Sequence, residues 1–228
     1  MGANLRATRH TAPVNGRARI SAPTRQEQKL RTRQALLDAA LELLEDHGFS
    51  SLSLRQVARR AGVVPTAFYR HFDGMQELGL ALIDESFRTL RAMLRDARAD
   101  PRTDGHVIRA SVAIVVRHVR AHESHFRFLV RERYGGATVL RREIGREIRL
   151  FASELAIDLA RFPHLDRWTP RDLQMLAGLM VNAMVSIAEA ILDTPPADAD
   201  AEREVVKTAE GQLRLIALGV PHWRSGGR

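Results

Sequence analysis

The 228-residue chain contains no cysteine. Disulfides, thiol catalysis and cysteine-based zinc sites are therefore excluded, and a reducing, cytoplasmic setting is expected. Aromatic residues make up only 5% of the chain, with two Trp and two Tyr, which disfavours an aromatic cage for a cationic drug. No run of about 18 apolar residues occurs, so no membrane-spanning helix is expected. The N-terminus lacks the apolar stretch of a secretory signal. Acidic residues are almost missing from positions 1–34, where Glu27 stands alone against eight Lys/Arg. That segment carries +7 of the formal +8, so the basic character belongs to an arm and not to the body.

What is present is a substantial apolar fraction, 45%, arranged with helical periodicity. Leu36, Leu37, Ala40, Leu41 and Leu44 form one helical stripe, giving a first helix from about Gln26 or Thr32 to His47, ended by Gly48. The segment from Leu52 to Phe72 reads as two short helices joined by a tight turn. Ser53 is an N-cap, and Gln56 three residues on completes a capping box. Gly62 supplies the positive φ of the turn. Pro65 suits the first position of the next helix, where its missing N–H is not needed. Phe68 and Phe72 share the inward face. Pro65, Thr66, Tyr69 and Arg70 face out, a set suited to the major groove.

This segment resembles the helix-turn-helix of the TetR family of bacterial transcription regulators. The resemblance rests on Tyr69-Arg70-His71-Phe72, on the helix before it, and on Glu77-Leu78 in the helix after it. It implies that Pro65, Thr66 and Tyr69 meet bases or sugars, that Ser53, Arg70 and His71 meet phosphates, and that Arg55 reads a base. Val64 and Met75 stand where many relatives carry a polar residue or Lys. The basic arm, including Arg31 and Arg33, is placed to neutralise phosphates or enter a minor groove. For residues 1–20 a solvated, disordered tail is an equal alternative.

Beyond Asp73-Gly74, a long helix over about 75–98 carries Ile83, Phe87, Leu90 and Leu94 on one stripe. Helices are expected over 104–133 (two of them), 137–161, 170–192 and 198–218, with breaks at Gly135-Gly136, Pro163 and Pro195-Pro196. Thr169-Pro170 is an N-cap followed by proline at the first position. No alternating strand pattern and no repeat occurs. The expected fold is all-α with about nine helices, comprising an N-terminal three-helix DNA-binding domain and a C-terminal ligand-binding and dimerisation domain. The boundaries are 1–24 for the arm, 25–73 for the helix-turn-helix domain, 74–220 for the second domain and 221–228 for the tail. The helix over 170–192 is apolar around more of its circumference than one core face needs and is rich in small residues. It reads as a homodimer interface, formed with the last helix. Dimerisation through the last two long helices is also what the family resemblance implies.

Catalytic constellations are missing. There is no G-x-S-x-G, P-loop or G-x-G-x-x-G pattern, and no enzyme activity or cofactor is expected. His118, His122 and His125 lie close in sequence, and two of them share a helix face. His-Glu-Ser-His is one residue too short for the zinc-protease pattern, and a polar or capping role is expected instead of a metal. The apolar run before Arg131, Glu132 and Arg133 fits an amphipathic ligand with an anionic head, or equally a core face ending in a solvated salt bridge.

Residues 51–72, Gln76–Ser86 and Phe126–Gly136 are similar to the unsaturated-fatty-acid-biosynthesis repressors within that family. The similarity implies an acyl-CoA effector and control of fatty-acid synthesis or desaturation. It would place Phe87, Leu90, Leu94, Phe126, Leu129, Phe151 and Met184 near the acyl chain, with Arg131 and Arg133 near the phosphates. A regulator of efflux or catabolism responding to another hydrophobic molecule is the alternative. The operator would be palindromic double-stranded DNA, read by two heads about one turn (roughly 34–36 Å) apart.

Overall fold

A computed structural model describes residues 24–99 and 107–226, the side chains of 93–99 and 107 excepted. The arm before Thr24 lies outside the described residues. Among the described residues the chain forms nine α-helices and no strand.

The head consists of α1 (Arg25–Leu44), α2 (Leu54–Arg60) and α3 (Pro65–Phe68). Thr24 starts α1: its hydroxyl accepts from the Glu27 N–H while Glu27 accepts from the Thr24 N–H. Ser53 and Gln56 form the expected capping box on α2. Gly62 has φ 69°, and Pro65 opens α3. Helix α3 is shorter than expected, because after Phe68 the Tyr69–His71 backbone tightens into turns. Gly48 does not terminate α1. The helix stops at Leu44, and Gly48 is extended (φ −77°) as it leads into a single 3-10 turn at Phe49–Ser51. The head is packed by Leu36, Leu37, Val57, Phe68 and Phe72, all 2% exposed or less.

The long helix α4 (Met75–Ala99) leaves the head. The Asp73 N–H donates to Glu77, tying its first turn to the Glu-Leu pair seen in the sequence. Gly79 lets α4 come against Phe49 and Leu140, since a Cβ there would lie 2.7 Å from the Phe49 ring and 2.9 Å from Leu140. Then follow α5 (Val107–Ala121), α6 (Glu123–Glu132), α7 (Thr138–Leu159), α8 (Pro170–Asp193) and α9 (Ala199–Gly219), all close to the expected spans. The tail does not trail away: a 3-10 turn at Val220–His222 brings Ser225 and Gly226 back onto the start of α8.

Two apolar cores result. One holds the head together with the first half of α4 and residues Phe128, Leu129, Leu140 and Ile144. The other is built from α5, α7, α8 and α9, and Leu90 and Ile148 pack against both. Helix α8 buries Leu176, Ala177, Val181, Ile187, Ala188 and Ile191 inward. It leaves Met175 and Leu179 about half exposed, with Leu215 and Leu218 more exposed on α9. By length and composition alone α8 is apolar enough to cross a membrane, which the sequence reading did not anticipate. Its apolar surplus is the face that the sequence analysis gave to a second subunit.

The contact of α4 with the Phe49 turn is intolerant of added volume. Gly79→Ala should lower the unfolding free energy by about 1–3 kcal/mol through overpacking, measured by urea denaturation. An unchanged midpoint would show that this approach has slack.

Candidate functional site

The outer surface of the head is laid out by its caps and turns. With Phe68 fully buried, Pro65, Thr66, Tyr69 and Arg70 are forced outward, and Tyr69 is 62% exposed. Its ring meets Phe68 edge-on at 5.9 Å, which fixes its direction without burying it. Val64 beside it is 64% exposed. Arg55 projects from the first turn of α2. Ser53 is exposed, but its hydroxyl donates to Gln56 Oε1 (2.7 Å), so a phosphate would have to compete for that hydrogen. Met75 is half-buried against the head core, so this position packs where many relatives carry Lys.

Arg31 is exposed on α1. Arg33 is not simply extended: its guanidinium lies 5.0 Å over the Phe72 ring. Lys29, Arg33 and Arg70 surround His71 closely enough to act on its titration. Partial burial, and then these three cations, hold the imidazole below its usual pKa. Its Nδ1 is buried and has no hydrogen-bond partner. The result is a basic cluster where α1 meets the end of α3. Lys29 belongs to it, although the sequence gave no reason to single it out from the arm.

The expected ligand residues converge well. Phe87 and Leu90 on α4, Phe126, Leu129 and Arg133 around α6, Phe151 on α7 and Met184 on α8 line one cavity. Leu94 lies among the residues whose side chains are not described. Sequence reasoning missed Val115, Ile144, Ile148 and Ala188, which share the cavity, because any apolar helix position shows the same signal. The cavity sits on the seam between the two cores: Phe87, Leu129 and Ile144 belong to one, and Val115, Phe151 and Ala188 to the other. Its volume is about 70 Å³, less than the roughly 150 Å³ that admits benzene. An effector of benzene size or larger needs more room than the cavity offers in this arrangement. Arg91 pins α4 to α7 beside it, reaching Glu147 (2.9 Å) and Glu154 (3.0 Å).

Arg131 corrects the sequence reading. It does not line the cavity; its guanidinium donates to the carbonyls of Leu44 (2.7 Å), His47 (3.0 Å) and Glu45 (3.1 Å) at the end of α1. Nor does α6 end in a solvated salt bridge, because Glu132 is 2% exposed and accepts from the Phe49 N–H at 2.9 Å. Adjacent residues on α6 therefore grip both sides of the α1–α2 connection, while Arg133 lines the cavity. The three histidines lie together where α5 meets α6. His118 and His122 stack at 6.1 Å. The Ser86 hydroxyl donates to Leu82 O, so its oxygen is left to accept from His125 Nδ1 at 3.0 Å. Among the described residues no group of side chains suited to a metal occurs.

Residues 36–82 match the bacterial regulatory proteins of the tetR family, and residues 104–218 match the tetracyclin repressor-like C-terminal domain. The chain belongs to the TetR family. It is a DNA-binding transcription regulator with that family's head and C-terminal domain. Solved TetR-like folds agree. A transcriptional regulator from Pseudomonas aeruginosa PAO1 superposes with TM-score 0.67 at 20% identity, over 88% of this chain and 97% of that one. The fatty acid degradation regulator FadR from Bacillus halodurans gives 0.63 at 14% identity, over 81% and 94%. The SmeT–triclosan complex gives 0.62 at 19% identity, over 86% and 96%. At such identities these likenesses concern the fold.

Two outcomes follow for this TetR-family site. Glu132→Ala leaves the buried Phe49 N–H without an acceptor and should cost about 1–3 kcal/mol of stability, while Glu132→Gln keeps the acceptor and should cost much less. Equal urea midpoints for the two variants would remove the bond from the account. A DNA phosphate beside His71 would oppose the surrounding cations and raise its pKa, so binding takes up a proton. Operator affinity should rise as pH falls from about 6.5 toward the lowered value, and His71→Gln should flatten that rise. A pH-independent wild type would place His71 away from phosphate.

Proposed function

We propose that the protein is a homodimeric, ligand-responsive repressor that leaves a palindromic operator when a hydrophobic effector enters the seam cavity. The observation that carries this reading is the position of the cavity. It touches the core that holds the DNA-reading head and the core that supports the dimer face, and it is too small to fill without moving one against the other. A ligand that fits only the opened arrangement shifts the population toward it. One with equal affinity for both arrangements would change nothing.

In this reading Tyr69, Thr66 and Pro65 meet bases or sugars, and Arg55 reads a base. Arg70, His71, Ser53, Arg31 and Arg33 meet phosphates. The exposed apolar faces of α8 and α9 pair with those of a second copy, leaving no large apolar patch in solvent. Regulators of this kind work in the cytoplasm.

For the effector, the apolar lining with Arg133 as its one charged member supports a long-chain amphiphile with a single anionic head, such as a fatty acid. The likeness to a fatty acid degradation regulator is consistent with this, as is control of fatty-acid synthesis or desaturation. An acyl-CoA would carry several phosphates, and Arg131, the second cation expected for them, is held by the end of α1. A regulator of efflux or catabolism answering to another hydrophobic molecule is the competing reading. The fold it shares with the SmeT–triclosan complex favours that alternative.

Tyr69→Ala should abolish operator binding while leaving helicity and dimer mass unchanged; full affinity would mean that α3 is not the reading element. Palmitate should release the wild-type protein from its operator in a fluorescence-anisotropy titration, and Arg133→Ala should blunt release without weakening DNA binding. Release by palmitoyl-CoA alone would restore the thioester as effector. Release by neither would favour the non-lipid alternative.

A further inference from the structure

A second recess, open to solvent on one side, lies beyond the far end of α7 and is bordered by α5, the α7–α8 connection, α8, α9 and the returning tail. Its volume is about 870 Å³, within the roughly 300–1,000 Å³ usual for small-molecule sites. The seam cavity is far smaller. Both tryptophans of the chain stand in its wall, Trp168 and Trp223, with ring centroids 6.5 Å apart. Scarcity of aromatics argued against an aromatic cage for a cationic drug, but the fold gathers both indoles in one place. Arg167 and His164 stand at the rim and are exposed. His164 holds φ 73°, and no other non-glycine residue among those described has a positive φ, a strained conformation for a side-chain-bearing residue.

The wall is latched in place. The Ser225 hydroxyl accepts from the Thr169 N–H (2.7 Å) and donates to Asp172 Oδ2 (2.6 Å), and the Gly226 N–H donates to the same oxygen (3.0 Å). These bonds hold the Asp172 carboxyl below its usual pKa, with the Ser225 hydroxyl contributing most. Leu176 and Met180 line the recess, whereas the exposed Met175 and Leu179 belong to the neighbouring stripe of α8 and do not. Met184 lines both the recess and the seam cavity.

We propose that this chamber is a second ligand site, for an aromatic monoanion whose rings lie against the indoles and whose negative group meets Arg167. Flat rings gain from offset or edge contact with tryptophan. A single rim guanidinium selects one negative charge. The site stands apart from the identity of the seam effector. Any influence on DNA binding rests on the regulatory reading above.

The test uses the full-length protein and two probes that differ by one sulfonate, 8-anilino-1-naphthalenesulfonate and N-phenyl-1-naphthylamine. Tryptophan quenching gives their affinities. Ser111→Phe places a ring inside the recess and should weaken the sulfonate probe about tenfold or more, on the scale of losing one good apolar contact set. Ala188→Phe, which fills the seam cavity, should leave that affinity unchanged. Arg167→Ala should weaken the sulfonate probe by roughly two- to fivefold, the range of an exposed charge pair, and leave the neutral probe alone. Should Ser111→Phe fail to fold, Trp168→Ala removes half of the stacking wall and should weaken both probes. The proposal is overturned if Ser111→Phe and Trp168→Ala bind like the wild type, or if Ala188→Phe abolishes binding. No quenching in the wild type would overturn it too, since the recess would then be filled by the chain itself or by a second copy. Probe bound in the chamber with operator affinity unchanged would sustain the site while removing its link to DNA release.

Discussion

The carbonyls at the end of an α-helix have no partners within the helix, and here one side chain from another domain takes the last of α1 together with two in the turn that follows. Arg131 on α6 holds Leu44, Glu45 and His47, a cation on the negative end of the α1 dipole. The next residue, Glu132, holds the amide of Phe49 just beyond. The DNA-reading head is thereby fastened to the C-terminal domain at a second point, separate from the covalent link through α4. If α6 shifts, the α1–α2 connection must shift or lose buried hydrogen bonds. Arg133, one residue on, lies in the cavity wall, so α6 and its C-cap touch both the cavity and the α1–α2 connection.

The packing around this clamp is tight on one side and yielding on the other. Gly79 allows α4 to lie on Phe49 and Leu140 with no space for a methyl group. Arg91 ties α4 to α7 through two carboxylates. The seam itself is filled by single apolar side chains from two separate cores. A small cavity between two cores is a place where packing can break cleanly, because each side keeps its own contacts when they part. Close-packed elements move as bodies and do not deform continuously. In the proposed dimer, a small rotation at the seam would become a change in the distance between reading heads.

Much of this was legible in the sequence wherever a rule is local. The Ser53–Gln56 box, the turn at Gly62, proline at the start of α3 and the Thr169-Pro170 cap each need only neighbouring residues, and each stands where its pattern placed it. Several of the apolar residues that the family resemblance implied for a pocket share one cavity, because they turn inward from neighbouring helices. Features that depend on what lies opposite were not readable. Arg131 and Arg133 look alike two residues apart, yet one turns to a helix end and the other to the cavity. Glu132 between them looked like a solvent-facing carboxylate, and only the arrival of Phe49 from far along the chain gives one of its buried oxygens a partner. The two tryptophans are 55 positions apart, and nothing short of the folded tail brings them together. Gly48 resembled a helix stop, but α1 had already ended when Arg131 took its last carbonyl.

Because the chain has no cysteine, one introduced thiol gives one label per subunit, and the central claim can be measured as a distance. Arg59→Cys carries a spin label on the exposed end of α2, and double electron–electron resonance reads the separation of the two heads. The measurement is repeated in an Ala188→Phe background, where the added ring occupies the seam in place of an effector. The account predicts a changed distance distribution together with weakened operator binding, and a return toward the original distance when operator DNA is added in excess. Identical distributions with the seam filled and unfilled, in a variant that still folds and dimerises, would contradict it.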